Sequence, residues 1–312
     1  MNPSSAPRTP QPAPSIFTTA LYFLLVLISF SLPARAAPWK LWQINANGGG
    51  LHRFTEASGY TCGSPDWSPD GKFVAYDTWR VGEPLQASQI AVVRADGTHR
   101  RLIGRGAMPS WSPDGKQIVC HAYAEAYQSD QLVVMNADGT GRETVANHWG
   151  SPRWAPRGNR IASVLNNNIG LFDLTTGTER VILHGPYSVR QGFAISPDGL
   201  HFCFGNDTNG IAVASLDERT MTASVRMLAM GGMCHCASWA PDGKRVVAGW
   251  QPSGAGFAQL YIFDFAGKAE PKPIAGQDTQ RNNYNPDWSP DGKTIVFAAE
   301  EANPESNTPN DK

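Results

Sequence analysis

Cys234, His235 and Cys236 stand side by side. Two thiolates and an imidazole suit a soft metal such as zinc or copper, or redox chemistry. Such a site needs a third or fourth ligand, and His148 or His121 would have to reach it from elsewhere in the chain. Along a strand, alternate side chains point to opposite faces, so both sulfurs would face one way and His235 the other. The chain therefore reads as having no metal site, with Cys234, His235 and Cys236 its nearest approach to one, and no cofactor is expected. The other cysteines, Cys62, Cys120 and Cys203, bring the total to five. That is sparse for a disulfide scaffold, and an odd count leaves one thiol unpaired. Cys120 and Cys203 sit in apolar runs and read as small core residues. No Gly-x-Ser-x-Gly elbow and no phosphate-cradling Gly-x-x-x-x-Gly-Lys loop occurs, which removes the usual nucleophile and nucleotide chemistries.

A second set of residues suits recognition rather than catalysis. Tyr60, Arg105, His148, Trp149, Tyr187, Arg190, His235, Arg281 and Tyr284 are aromatics, arginines and histidines spread through the chain. Aromatics and Arg are enriched where proteins grip peptide or protein partners. The competing readings make Arg105, Arg190 and Arg281 carboxylate holders for an acidic saccharide, with a His or Tyr as base in a lyase or hydrolase, or make the chain a metal- or small-ligand-binding propeller that uses Cys234, His235 and Cys236.

What brings these residues together is a repeat. Trp67-Ser68-Pro69-Asp70-Gly71-Lys72 recurs at Trp111, Trp154, Ile195, Trp239 and Trp288, with spacings of 44, 43, 41, 44 and 49 residues. A period of that size built on short strands predicts a β-propeller with one blade per repeat. Each motif reads as a strand ending at the Trp, then a turn in which Pro presets φ and Gly supplies a positive one. Apolar runs such as Phe73-Val74-Ala75-Tyr76 and Ile90-Ala91-Val92-Val93 supply the middle strands; blades packed on both sides need no polar face. Asp96-Gly97 and Asp138-Gly139 are hairpin turns to a fourth strand. The repeated Trp reads as seam packing, and its Asp as turn chemistry rather than a calcium ligand, since one carboxylate per turn is too few. Blade 4, with Ile195 and Leu200, and blade 3, with Arg157, depart from the pattern and should be the least regular.

The chain ends carry further information. Leu41-Trp42-Gln43-Ile44 and Leu51-His52-Arg53-Phe54 match third and fourth strands with no first or second before them. The last motif supplies only a first and second strand. The expected fold is all-β: a six-bladed propeller over residues 37–302 whose sixth blade is closed by strands from both chain ends. Residues 1–36 read as a signal peptide, with Arg8, an apolar stretch from Ile16 to Leu32 and an Ala34-Arg35-Ala36 exit. Residues 303–312 read as a disordered tail. A net charge of −1 favours neither nucleic acid nor a membrane surface.

The Trp-Ser-Pro-Asp-Gly-Lys motif followed by Ile295-Val296-Phe297 resembles the repeat of TolB-type propellers, whose namesake is the periplasmic part of the Tol–Pal envelope system. The same repeat is similar to that of prolyl-oligopeptidase propeller domains and some oligogalacturonate lyases. TolB carries a further amino-terminal domain, whereas here the repeat starts almost at the leader's exit, so the resemblance is to the propeller alone. With the leader, it implies an exported, periplasmic or secreted monomer that binds an envelope protein or peptide; the charge balance and the cleaved leader give the further expectation of no nucleic-acid partner and no stable membrane insertion. Alternating strand directions put the Ser-Pro-Asp-Gly turns on one face and the longer blade-entry and second-to-third loops on the other, where binding is expected.

Overall fold

The structure, a computed structural model, describes residues 38–55, 58–123, 130–183, 189, 192–206 and 210–301. Residues 1–36, read above as a leader, and 303–312, read as a tail, lie outside those residues. So do Tyr187 and Arg190.

Six four-stranded antiparallel sheets succeed one another, one per Trp motif, with the strand ending at the motif at one edge of each sheet. In blades 1 to 5 the four strands are consecutive in the chain. Blade 6 takes Asn283–Trp288 and Thr294–Glu300 from the end of the chain and Trp39–Asn45 and His52–Arg53 from its start. The first strand pairs with the last along its full length, from Trp39 opposite Glu300 to Asn45 opposite Thr294. This closure removes the two open edges a linear stack of blades would leave.

The core is divided among the seams. One cluster of buried apolar side chains joins each pair of neighbouring blades, the sixth-to-first pair included. Leu41 and Val296 of blade 6, for example, pack with Trp67, Val74 and Tyr76 of blade 1. The motif tryptophans all sit in these seams, each less than a tenth exposed. Cys120 and Cys203 are fully buried, and all five cysteines are free thiols.

The Ser-Pro-Asp-Gly turn satisfies itself. Ser68 Oγ donates to Asp70 Oδ1 at 2.7 Å and accepts the Phe73 N–H at 2.9 Å, while Gly71 takes a φ of +69°. The same bonds recur at Ser112 with Asp114 and at Ser289 with Asp291. The carboxylate is thus engaged within its own turn, and the Ser hydroxyl holds Asp70, Asp114 and Asp291 below the usual range. Blade 3 has Ala155 and Arg157 in place of Ser and Asp and loses both bonds. The inner strands of blades 3 and 4 shrink to Arg153–Trp154 and Phe193–Ile195, against Tyr60–Trp67 in blade 1.

The inner strands hold a feature the period alone does not reveal. Their pairing slips between Gly63 and Asp66, Ala107 and Ser110, Cys234 and Ala237, and Tyr284 and Asp287. Ser64, Met108 and Asn285 fall in three of these bulges with φ of +43°, +54° and +48°, each followed by a proline. Proline is tolerated because the innermost strand is an edge and needs no N–H there. Each bulge turns the next side chains toward the centre of the ring.

Because closure is carried by buried side chains of the first strand, Leu41→Ala should destabilise the protein by about 2–5 kcal/mol in urea unfolding. A loss below about 1 kcal/mol would show that the closing strand contributes little.

Candidate functional site

The residue immediately before the motif Trp faces the channel in every blade: Asp66, Ser110, Arg153, Ala194, Ser238 and Asp287 in order. Together with the tryptophans they line a chamber of about 310 Å³. Asp287 Oδ2 accepts the Trp67 N–H at 2.7 Å, and Asp66 Oδ2 accepts the Trp111 N–H at 2.7 Å. Ser110 Oγ accepts the Trp154 N–H and Ser238 Oγ the Trp288 N–H, both at 3.1 Å. Ser238 Oγ donates in turn to Asp287 Oδ1 at 2.9 Å. Each acceptor belongs to the blade before its donor, so these bonds clasp neighbouring blades at the channel wall. Arg153 can only donate, and Ala194 offers no polar atom, so the blade 3–4 and blade 4–5 seams have no side-chain clasp of this kind.

Next to this chamber lies another of about 250 Å³, lined by Ser64, Met108, Trp149, Arg153, Cys236 and Asn285 among others. Arg153 borders both. Its Nη1 donates to the Pro109 carbonyl at 3.2 Å and stands 3.9 Å from Asp66 Oδ1. Burial pushes the Asp66 carboxyl up to about 8, helped by the nearby Asp287, whose own carboxyl burial also raises. Asp77, buried behind the bulges, accepts the Met108 N–H at 2.8 Å and is raised by burial as well. The positive charge of Arg153 works against all three shifts.

The residues expected at the loop-rich mouth separate into distinct places. Trp149 lines the channel and is 39% exposed; its edge meets the buried His121, which packs 4.4 Å from Tyr123. His148 Nε2 lies 3.1 Å from Glu179 Oε1 and Nδ1 lies 2.8 Å from the Trp149 carbonyl. With acceptors at both nitrogens, led by Glu179, its pKa is raised. Tyr284 stacks on Trp39 at 5.0 Å and meets His235 at 4.2 Å. Tyr60 lies under the guanidiniums of Arg100 and Arg80, at 4.8 and 5.6 Å. Arg281 lies 4.0 Å over the Trp42 ring, with Asp278 3.4 Å from its Nε. Arg105 lies in a groove between blades 1 and 2. Tyr187 and Arg190 fall outside the described residues.

The bulge also reorganises Cys234, His235 and Cys236. Cys234 packs into the seam with blade 4, His235 turns to Tyr284, and Cys236 lines the channel. The regular alternation expected of Cys-x-Cys is lost, and the three side chains diverge. Burial holds the Cys234 thiol well above its ordinary value and pushes Cys236 up to about 11, so neither is a ready thiolate. Among the described residues no group of three or more His, Cys, Asp or Glu side chains is placed to hold a metal ion.

The clasp residues are what a search for motifs in the sequence passes over. Their common position is visible in the repeat, but Asp, Ser, Arg and Ala share no chemistry there. Alignment on the Trp, with the first strand taken as innermost, is the signal that finds them.

No protein-family model matches the chain. Over 243 residues, 70% of its length, it is 28% identical to dipeptidyl-peptidase 5 of Porphyromonas endodontalis, and the match takes in 34% of that protein. An uncharacterized protein of Agrobacterium fabrum is 29% identical over 142 residues, 40% of this chain and 47% of that one. The chain thus spans between 34% and 47% of the length of these curated relatives. Among solved structures, one described as a TolB of Agrobacterium tumefaciens aligns with a TM-score of 0.66 at 15% identity, covering 86% of this chain and 100% of that one. TolB of Acinetobacter baumannii aligns at 0.56 with 19% identity, covering 85% and 64%. Propellers of other activities align too: an oligogalacturonate lyase in complex with manganese gives 0.54 at 16% identity, covering 85% and 83%. The likeness is one of fold, and the fold is that of a TolB-like six-bladed β-propeller.

The channel carboxyls make stability depend on pH. An unfolded Asp titrates near 3.9, whereas folded Asp66 keeps its proton up to about 8. Between those values the folded chain holds a proton the unfolded chain releases, so rising pH erodes stability. Asp66→Asn keeps an acceptor for Trp111 and removes the titration. Its stability should fall less than the wild type's from pH 5 to pH 8 in urea unfolding; parallel profiles would contradict the assignment.

Proposed function

We propose that this chain is an exported TolB-like propeller that binds an envelope protein or peptide through its loop-rich face and does no chemistry on it. The observation that carries this reading is the distribution of exposed apolar side chains. Among the described residues six large apolar side chains are each more than a third exposed: Leu85 and Phe257 in second-to-third loops, Trp149 in a blade-entry segment, Met230 and Met233 at the strand ends that flank the entry to blade 5, and, apart from these five, Leu102 on the outer strand of blade 1. The opposite face presents Asp70, Lys72, Asp114, Lys116, Asp291 and Lys293 in turns that are already hydrogen-bonded and ion-paired. Five of the six exposed large apolar side chains gather toward the loop-rich side, which favours a partner there.

The leader-like residues 1–36 support a periplasmic or secreted location. No helix among the described residues is long and apolar enough to cross a membrane. A catalytic reading has less support. Of the three arginines that would hold an acidic saccharide, Arg281 is stacked on Trp42 and Arg105 lies in a separate groove, while Arg190 is outside the described residues.

Photo-crosslinking from position 149 or 233 in an envelope fraction should trap a partner, and the same probe at position 116 or 293 should not. Trp149→Ala should weaken capture of that partner by roughly tenfold, a hot-spot-sized loss of about 1–2 kcal/mol. Crosslinks confined to 116 and 293, or capture indifferent to Trp149, would refute the loop-rich face as the binding surface.

A further inference from the structure

The channel chamber of about 310 Å³ lies toward the turn face, where the turn prolines Pro69, Pro156, Pro197 and Pro290 line it beside the residues that precede the tryptophans. All six blades contribute to its wall, and every lining residue is among those described. We infer that this chamber binds a free α-amino acid with a small apolar side chain.

Hydrogen-bonding capacity is left over once the blades are clasped. Asp66 Oδ2 accepts the Trp111 N–H, but Oδ1 makes no hydrogen bond among the described residues, and Arg153 Nη1, 3.9 Å away, is too far to give one. That Nη1 donates to the Pro109 carbonyl, while Nε and Nη2 of Arg153 have no acceptor among the described residues. Ser110 is only 4% exposed; its Oγ accepts the Trp154 N–H, and its own proton has no acceptor among the described residues. Two other serines of the wall are fully used. Ser238 donates to Asp287 and accepts the Trp288 N–H, and Ser196 serves its own turn.

The leftover groups stand on three consecutive blades: a carboxyl oxygen on blade 1, a hydroxyl proton on blade 2 and a guanidinium on blade 3. The two donors, one of them a planar fork, suit a carboxylate. The acceptor beside them suits an ammonium, and an α-amino acid carries both groups on one carbon. A lone anion would meet the carboxyls of Asp66 and Asp287, and a lone cation would meet Arg153. The zwitterion answers both. Burial keeps the Asp66 carboxyl protonated up to about 8, and an ammonium at Oδ1 supplies the opposite charge that favours its ionised form.

The far side of the chamber decides the side chain. Blades 4 and 5 place Ala194, Ile195 and Ala237 there, which gives a short hydrocarbon an apolar wall. The volume lies at the small end of the ordinary range for ligand sites.

The test is a titration of isotope-labelled protein at pH 8 with L-valine, with isovalerate, which lacks the ammonium, and with isobutylamine, which lacks the carboxylate. Valine should shift the backbone amides of Trp111, Trp154 and Ile195 saturably, and each of the other two should bind at least tenfold more weakly. Arg153→Gln should raise the Kd for valine at least tenfold. Asp66→Asn keeps an acceptor for Trp111 and should also raise it tenfold, so it carries the test if Arg153→Gln unfolds. Isovalerate or isobutylamine binding as tightly as valine would overturn the ligand class. No saturable shift, or a Kd unchanged in the folded variants, would overturn the site. Partner capture from positions 149 and 233, on the loop-rich side, is a separate measurement that none of these results decides.

Discussion

The structure depends on a backbone donor that its own blade cannot satisfy. The inner strand of each blade is an edge, and its motif Trp N–H points away from the neighbouring strand toward the channel. A buried N–H without an acceptor costs about as much as a lost hydrogen bond. The preceding blade supplies the acceptor through the side chain just before its own Trp: Asp287 to Trp67, Asp66 to Trp111, Ser110 to Trp154 and Ser238 to Trp288. The seams are therefore fastened twice, by apolar clusters across the blade faces and by hydrogen bonds at the channel wall. The polar lining of the channel is structural before it is anything else.

This accounts for carboxyls in an environment that disfavours their charge. Asp66 and Asp287 must be oxygen acceptors facing a confined space, and burial then raises both. Arg153 occupies the equivalent place in blade 3, where its positive charge works against those shifts, and it gives no clasp to blade 4. Ala194 gives no clasp to blade 5, although the Trp239 indole donates to the Ala194 carbonyl at 3.3 Å. The shortened inner strands of blades 3 and 4 coincide with this weaker side of the ring.

The architecture was legible from the repeat because blade geometry and turn chemistry are local. A Trp, a Ser-Pro-Asp-Gly turn and two apolar runs are enough to write one blade, and the unpaired strands at the ends complete the sixth. The sorting of loops between faces also follows from strand alternation. Side-chain direction within those loops does not. Arg281 and the arginines around Tyr60 lie on aromatic rings at the seam between the chain ends and their neighbours, where burial of the ring and a cation–π contact outweigh exposure at the mouth. Cys234 and Cys236 were separated by a bulge, which breaks the two-residue period on which any strand reading rests. The clasp positions carry no motif because an Asp or a Ser oxygen can equally accept a backbone N–H, so no single residue type marks them.

Native-state hydrogen exchange at the six motif positions measures the clasps directly. Amides of Trp67, Trp111, Trp154 and Trp288 should exchange only with global unfolding, while those of Ile195 and Trp239 should exchange faster through local opening of the adjoining seams. Equal protection at all six, or the slowest exchange at Ile195 and Trp239, would contradict a ring fastened by the residue before each tryptophan.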